Sequence, residues 1–133
     1  MSDFIKQNVQ WFPGHMAKTR RLIKESLNMV DGVVEILDAR VPYSSQNPEL
    51  DSIVKNKPRI ILLNKCDVAN ANATNIWIKY FDGRGAYAIP VDCKTGRGLN
   101  KFDETVKKAL AKTIERNEQK GMSGKPLRLM VVG

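Results

Sequence analysis

The chain has 133 residues, of which 42% are hydrophobic, and this length and composition suit one globular domain or part of a larger one. No apolar run approaches the roughly 18 residues of a membrane span, and the first residues resemble neither a signal peptide nor a transit peptide. No membrane partner is therefore expected. Cys66 and Cys93 lack the spacing of a zinc motif or a disulfide framework, which fits a reducing, cytoplasmic location.

The net charge of +8 is unevenly distributed. Residues 94–128 contain ten basic and four acidic side chains. This asymmetry indicates either a polyanionic partner or a helix that surface lysines keep soluble. Charge alone does not distinguish RNA from an acidic protein or a membrane surface.

Apolar segments that suit β-strands alternate along the chain with amphipathic segments that suit helices. Residues 1–14 are predicted to be irregular. Helices are predicted over residues 15–29, 48–55, 72–82 and 99–119. Strands are predicted over residues 33–37, 59–63, 86–91 and 127–132. This alternation predicts right-handed crossovers and a mostly parallel sheet in a three-layer α/β fold.

Three of the predicted helices carry apolar residues at helical spacing, and these residues are expected to face the sheet. They are Met16, Ile23, Leu27 and Val30 in or next to the first, Ile76, Trp77, Tyr80 and Phe81 in the third, and Leu99, Phe102, Val106, Leu110, Thr113 and Ile114 in the fourth.

Polar clusters follow three of the predicted strands: Asp38-Ala39-Arg40, Asn64-Lys65-Cys66-Asp67 and Asp92-Cys93-Lys94. In an open parallel sheet, ligands bind outside the carboxyl ends of the strands. The three clusters are therefore expected to converge on one site.

The cluster Asn64-Lys65-Cys66-Asp67 matches the N-K-x-D element of GTP-binding domains. Guanine presents two donors on one edge, N1–H and the N2 amine, and the Asp67 carboxylate can accept both, whereas adenine offers no such pair. Asn64 can join neighbouring loops and reach N7 of the base, and the aliphatic part of Lys65 can lie along the ring. The alternative is a generic strand-to-helix turn in which Asp67 caps the following helix.

Asp92-Cys93-Lys94 follows the next strand, where GTPases place a loop of S-A-K type whose backbone N–H groups donate to guanine O6. Cys93 occupies the small middle position and Lys94 the lysine position, while Asp92 departs from the usual Ser, Thr or Asn. Because the donors belong to the main chain, the departure is tolerable. The two clusters together predict guanine binding.

The sequence contains no G-x-x-x-x-G-K-[ST] motif, the element that cradles phosphates and holds magnesium through its Ser/Thr. The apolar segment 127–132 followed by Gly133 matches the way such a phosphate loop begins. We therefore expect the isolated chain to bind GTP weakly and not to hydrolyse it.

Four segments carry a resemblance to a known family: residues 10–18 (Q-W-F-P-G-H-M-A-K), residues 38–42 (D-A-R-V-P), N-K-x-D at 64–67, and 131–133 (V-V-G). They resemble the ribosome biogenesis GTPase A family of circularly permuted GTPases. The resemblance implies an N-terminal arm and basic helix over 1–30, guanine-binding elements over 31–126, and a strand at 127–133 that leads into the phosphate loop. It also implies that the predicted strands lie in the spatial order fourth, first, second, third.

The resemblance further implies that GTP/GDP is the cofactor, that Mg²⁺ is bound in the full-length protein, and that the protein acts in late assembly of the large ribosomal subunit. His15, in the Pro-Gly-His-Met motif, would act on the attacking water, as a neutral imidazole can. A lone histidine beside a Pro-Gly turn is otherwise more often structural.

Basic residues on the first and last predicted helices are candidate contacts to rRNA, because lysine and arginine neutralise phosphates without reading sequence. They are Lys18, Arg20, Arg21, Lys24, Lys101, Lys107, Lys108, Lys112 and Arg116. Two alternatives remain open at this point: a non-catalytic module that binds rRNA or a ribosomal protein, and an unrelated flavodoxin-like α/β domain.

Overall fold

The centre of the structure is a parallel sheet. Within the described residues, this sheet has five strands. The structure is a computed structural model and describes the backbone of residues 9–12, 17–46, 53–54 and 56–133, with side chains from residue 21 onward within those ranges. The strands are β1 (Val9–Phe12), β2 (Gly32–Asp38), β3 (Arg59–Asn64), β4 (Ala86–Pro90) and β5 (Leu129–Val132). Their order across the sheet is β1-β5-β2-β3-β4.

The last strand in the chain lies beside the first predicted one, as the permuted topology requires. β5 pairs in parallel with β2, with Gly32 opposite Leu129 and Glu35 opposite Val132. The pairs β2–β3 and β3–β4 are parallel as well. The predicted α/β fold and the predicted order of the four strands are both confirmed.

The prediction that residues 1–14 are irregular is wrong for residues 9–12. β1 pairs in parallel with β5, from Val9 opposite Leu129 to Phe12 opposite Val132. Four residues without polar–apolar alternation carry little strand signal in a sequence. What makes them a strand is the row of N–H and C=O groups that β5 offers on its outer side.

Five helices with assigned bounds lie in the described part of the chain. They are α1 (Ala17–Leu27), α2 (Pro42–Ser45), α3 (Ala71–Gly83), α4 (Phe102–Ala109) and α5 (Ala111–Gln119), with short 3₁₀ turns at Cys66–Val68 and Leu99–Lys101. Of the helix predicted over 48–55, only residues 53 and 54 are described, both as helix, and its other residues lie outside the described ranges. Met16 also lies outside them.

The single helix predicted over 99–119 is wrong, because it is interrupted at Leu110. Leu110 has φ −105° and ψ 21°, although its N–H still donates to the Val106 carbonyl at 2.9 Å. Its side chain is fully buried against Gly32 of β2, where an added Cβ would lie 3.1 Å from Leu110 Cδ1. We attribute the break to this packing. Leu99, expected to face inward, is 37% exposed at the 3₁₀ turn.

Apolar layers cover both faces of the sheet. One layer joins the face of β2, β3 and β5 to α4 and α5, and it contains Val34, Ile60, Leu62, Leu129, Val106 and Leu110. The other face packs against α1 and α3, and its residues include Val33, Ile61, Leu63, Ile23, Leu27 and Phe81. Neighbouring residues of β3 thus face opposite layers, which is the arrangement expected of a strand buried on both sides.

The apolar face predicted for α3 needs one correction. Ile76 is 67% exposed, and Ile78 packs against the sheet instead. Thr74 and Phe81 are buried on the same side as Ile78. Because two residues turn a helix by roughly 200°, Ile76 falls opposite the row that faces the sheet.

Candidate functional site

The three polar clusters that follow β2, β3 and β4 meet at the carboxyl edge of the sheet. Asp38 lies opposite Asn64 in the register of β2 and β3, and the Ala39 N–H donates to the Asn64 carbonyl at 2.7 Å. The Asn64 side chain spans to the third cluster, because its Oδ1 accepts the backbone N–H of Cys93 at 2.9 Å. The predicted convergence of these clusters is therefore present in the structure.

A sharp turn after β3 brings Asp67 to the surface. Lys65 has φ 64° and ψ 34°, the only left-handed conformation among the described residues other than glycine. The Cys66 N–H then donates to the Val91 carbonyl at 3.1 Å and begins a 3₁₀ turn at Cys66–Val68. The turn leaves Asp67 exposed.

Asp67 does not cap the following helix. Asn70 takes that role, since its Oδ1 accepts the Ala73 N–H at 3.0 Å at the start of α3. Within the described residues, the Asp67 carboxylate accepts no hydrogen bond. An exposed carboxylate that no helix uses is available to a ligand, which favours the base-binding interpretation of the motif.

Asp38 organises the edge of the site through Arg40. The Asp38 carboxylate accepts the Arg40 backbone N–H at 2.9 Å, Nε at 3.0 Å and Nη2 at 2.7 Å. Lys65 Nζ lies 3.6 Å from Asp38 Oδ2. The hydrogen bonds from the Arg40 side chain are the main reason that the pKa of Asp38 lies well below its ordinary value. The sequence alone showed no chemistry for this cluster.

Asp92 shapes the loop that follows β4. Its carboxylate accepts the Thr95 hydroxyl at 2.8 Å and the Lys94 N–H at 3.1 Å, while its backbone pairs with Arg97. The hydrogen bond from Thr95 is the largest cause of the lowered pKa of the Asp92 carboxyl. A serine or threonine hydroxyl at this position could not accept both hydrogen bonds from the same directions. Asp92 therefore shapes the loop, a role that the comparison with the S-A-K pattern did not predict.

Cys93 and Lys94 lie exposed on that loop. Partial burial of the Cys93 thiol, and secondarily the Asp92 charge, raises its pKa. The thiol is therefore protonated near neutral pH. The Cys93 N–H donates to Asn64 Oδ1 and the Lys94 N–H to Asp92 Oδ1, so the backbone of this loop is ordered.

Two glycines at the site are required by their neighbours. Gly98 has φ 86°, and a side chain there would collide with the Pro90 carbonyl oxygen and approach Val91 Cα to 3.2 Å. At Gly133, a Cβ would lie 2.8 Å from the carbonyl oxygen of Ile36 in β2. Gly133 thus lies close against the central strand at the same edge of the sheet.

Of the remaining predicted residues, Lys101 lines a cavity at this edge together with Cys66 and Gly98, and several others lie outside the described ranges. His15 is outside them, and the side chains of Lys18 and Arg20 on α1 are not described. Arg21 pairs with Glu25 at 3.3 Å. The other basic candidates are Lys24 on α1, Lys101 in the second 3₁₀ turn, Lys107 and Lys108 on α4, and Lys112 and Arg116 on α5.

The fold and the strand order define an α/β domain of the P-loop GTPase type with permuted topology. No protein-family model matches the chain. Over 94% of its length, the chain is 45% identical to a protein of Priestia megaterium named ribosome biogenesis GTPase A. Over the same share it is 42% identical to a protein of Bacillus licheniformis that has the same name. A protein of Arabidopsis thaliana named short integuments 2, mitochondrial, is 38% identical over the same share.

The resemblance to the ribosome biogenesis GTPase A family is therefore confirmed, and the chain is a relative of those proteins over nearly its whole length. It spans 44% of the two bacterial relatives and 31% of the plant one. Among the described helices, none combines the length and apolar character needed to cross a membrane.

Proposed function

We propose that these residues form the base-recognition part of a GTP-binding protein, and that the full-length protein is a GTPase in ribosome biogenesis. The observation that carries the proposal is the hydrogen bond from the Cys93 N–H to Asn64 Oδ1. This bond holds the loops of the two predicted guanine-binding clusters together at one edge of the sheet. A base that enters between them meets the Asp67 carboxylate and the main chain of the 92–94 loop.

Guanine fits this donor and acceptor set. Its N1–H and N2 amine both donate, and the exposed Asp67 carboxylate accepts without losing another partner. Its O6 is proposed to share the Lys94 N–H with Asp92 Oδ1, which accepts that group at 3.1 Å, because the Cys93 N–H is held by Asn64 Oδ1. The aliphatic part of Lys65 is proposed to cover the ring, with its ammonium group held toward Asp38 at 3.6 Å.

The phosphate side of the reaction is proposed to lie in other parts of the full-length protein. Gly133 would be the first glycine of the phosphate loop, and that loop would hold Mg²⁺ together with the phosphates. We propose no metal ligand among the described residues. His15 is proposed to orient the attacking water, as a neutral imidazole can near pH 7.

The cellular role is proposed from the relatives, whose names specify ribosome biogenesis. We propose that the protein binds rRNA in the large ribosomal subunit or its precursor, and that it works in the cytoplasm. The excess of basic residues over 94–128 supports a partner rich in phosphates.

The guanine assignment is tested by Asp67→Asn in the full-length protein. An amide has only one acceptor oxygen, so it cannot pair with two parallel donors as a carboxylate does, whereas its NH₂ group can donate to the C2 carbonyl of xanthine. We expect the variant to lose at least about 100-fold in GDP affinity while its affinity for xanthosine diphosphate rises. Nucleotide affinities are measured by calorimetry or by a fluorescent analogue.

Asp82→Asn, on the exposed part of α3, is the matched control and should leave both affinities unchanged. Equal protection of the wild-type protein by GDP and ADP against thermal unfolding would disprove guanine recognition. RNA binding without any nucleotide preference would instead support a non-catalytic binding module.

A further inference from the structure

A second concave site lies at the amino edge of the sheet, opposite the candidate base site. It is a cleft of about 570 Å³ between the starts of β2, β3 and β4 and the helices α4 and α5. Its basic lining residues are Lys57, Arg59, Lys108, Lys112 and Arg116. Since β3 runs from Arg59 to Asn64, the two sites are separated by roughly 16 Å of strand.

The charge of the cleft is strongly positive. Five basic side chains line it, against one acidic side chain, that of Asp31. Asp31 is already engaged, because its Oδ2 accepts the Arg128 N–H at 2.8 Å. Arg59 forms an ion pair with the buried Glu35, with 2.7 Å between Nη2 and Oε1. The excess positive charge therefore comes from the four other basic residues.

Three of these residues form a row on one side of the cleft. Lys108, Lys112 and Arg116 are spaced four apart, and all three line the cleft despite the break at Leu110. The row therefore extends over roughly 12 Å of helix. Lys112 and Arg116 are exposed and form no ion pair with any described residue, while Lys108 makes a loose pair with Glu104 at 3.6 Å.

The opposite wall adds an aromatic ring and a neutral polar group. Tyr87 of β4 is 41% exposed and lines the cleft, and Asn56, three residues before β3, lines it as well. Lys57 is oriented by a hydrogen bond from its Nζ to the Val30 carbonyl at 3.0 Å. A ring next to a row of cations is the combination that single-stranded nucleic acids require, because bases stack while phosphates are neutralised.

We propose that this cleft binds a single-stranded segment of RNA, with phosphates along Lys108, Lys112 and Arg116 and a base or sugar against Tyr87. The cleft is too long for one phosphate ion, and an acidic peptide would make no use of the exposed ring. The choice of RNA rests on the proposed role in ribosome biogenesis. Two of the basic residues that the sequence offered as rRNA contacts, Lys101 and Lys107, do not line this cleft and are not part of the proposed RNA site.

The test compares matched pairs of variants in the full-length protein. Lys112→Glu is paired with Lys79→Glu, which makes the same change at an exposed site on α3, across the sheet. Tyr87→Leu is paired with Tyr43→Leu, since Tyr43 is 66% exposed on α2. The affinity for a fluorescein-labelled 12-nucleotide RNA is measured by anisotropy at several KCl concentrations.

We expect Lys112→Glu to weaken binding about tenfold and to make the negative slope of log K against log [KCl] shallower by about 0.7 or more. Tyr87→Leu should weaken binding severalfold at an unchanged slope, because stacking releases no counterions. Both control variants should stay within about twofold of the wild-type protein at the same salt.

Loss of affinity by Lys112→Glu that is no greater than that of Lys79→Glu would overturn the proposal. So would binding of a polyglutamate peptide that depends on Lys112 while RNA binding does not. Thermal unfolding confirms that each variant is folded, which is expected since both lysines are exposed. GDP affinity is measured on the same samples, so a failure of this cleft and a failure of guanine recognition give different results.

Discussion

Asn64 Oδ1 accepts the backbone N–H of Cys93 at 2.9 Å, and this bond joins residues 29 positions apart in the chain. It connects the end of β3 to the loop that follows β4. Asn64 is therefore a positioning residue for that loop as well as a candidate contact to the base.

Asn64→Ala should lower GDP affinity at least tenfold and destabilise the fold by about 1 kcal/mol, because the Cys93 N–H loses its acceptor. Asn70→Ala is the matched control, since it also removes one Asn Oδ1 acceptor, at the start of α3. It should cost about 1 kcal/mol as a lost helix cap and leave GDP affinity unchanged. Urea unfolding and calorimetry measure both quantities. Equal GDP affinities for the two variants would contradict the positioning role.

Asp38→Asn should destabilise the protein by about 1–2 kcal/mol at pH 7, because the carboxylate that holds Arg40 and Lys65 loses its charge. The folded-state pKa of Asp38 lies below its unfolded value of about 3.9, so the stabilisation is fully present above pH 4 to 5 and is lost as the pH falls. The free energies of unfolding of the two proteins should therefore converge in acid. A difference that stays constant from pH 7 to pH 3 would argue against the ion pair as its source.

Gly98→Ala and Gly96→Ala separate backbone strain from steric collision in the loop after β4. Both glycines have φ near 85°, at 86° and 84°, but only Gly98 faces the Pro90 carbonyl. Gly96→Ala should cost about 1–2 kcal/mol for the left-handed conformation alone. Gly98→Ala should cost at least about 3 kcal/mol and lower GDP affinity, because the loop must move. A similar loss of unfolding free energy in the two variants, measured by thermal unfolding, would show that the loop can shift away from the added methyl group at little energetic cost.

Thr95→Val should raise the pKa of the Asp92 carboxyl toward its ordinary value, because the hydroxyl that donates to Oδ2 at 2.8 Å is removed. The carboxyl group is followed by NMR during an acid titration. Thr113→Val, on α5, should leave that titration unchanged. A pKa of Asp92 that stays low in Thr95→Val would assign the shift to the backbone donors instead.

Much of the fold and the candidate site follows from local pattern. The apolar runs before Asn64 and Asp92 and the N-K-x-D spacing suffice to predict a parallel sheet with a base site at its carboxyl edge. These features are local because strand burial and the spacing of a binding loop are set by consecutive residues. The family resemblance supplied the strand order, which periodicity alone does not contain.

Other features depend on contacts between distant segments and could be seen only in the folded chain. Residues 9–12 become a strand because β5 lies beside them, and the last helix breaks where Leu110 packs against Gly32. The cleft at the amino edge joins Lys57 and Tyr87 to basic residues of α4 and α5 that lie far along the chain. The sequence by itself predicted four of the five described strands and the chemistry expected of N-K-x-D. Tertiary structure decided which residues meet, because packing and hydrogen bonding act across distances in space that sequence spacing does not encode.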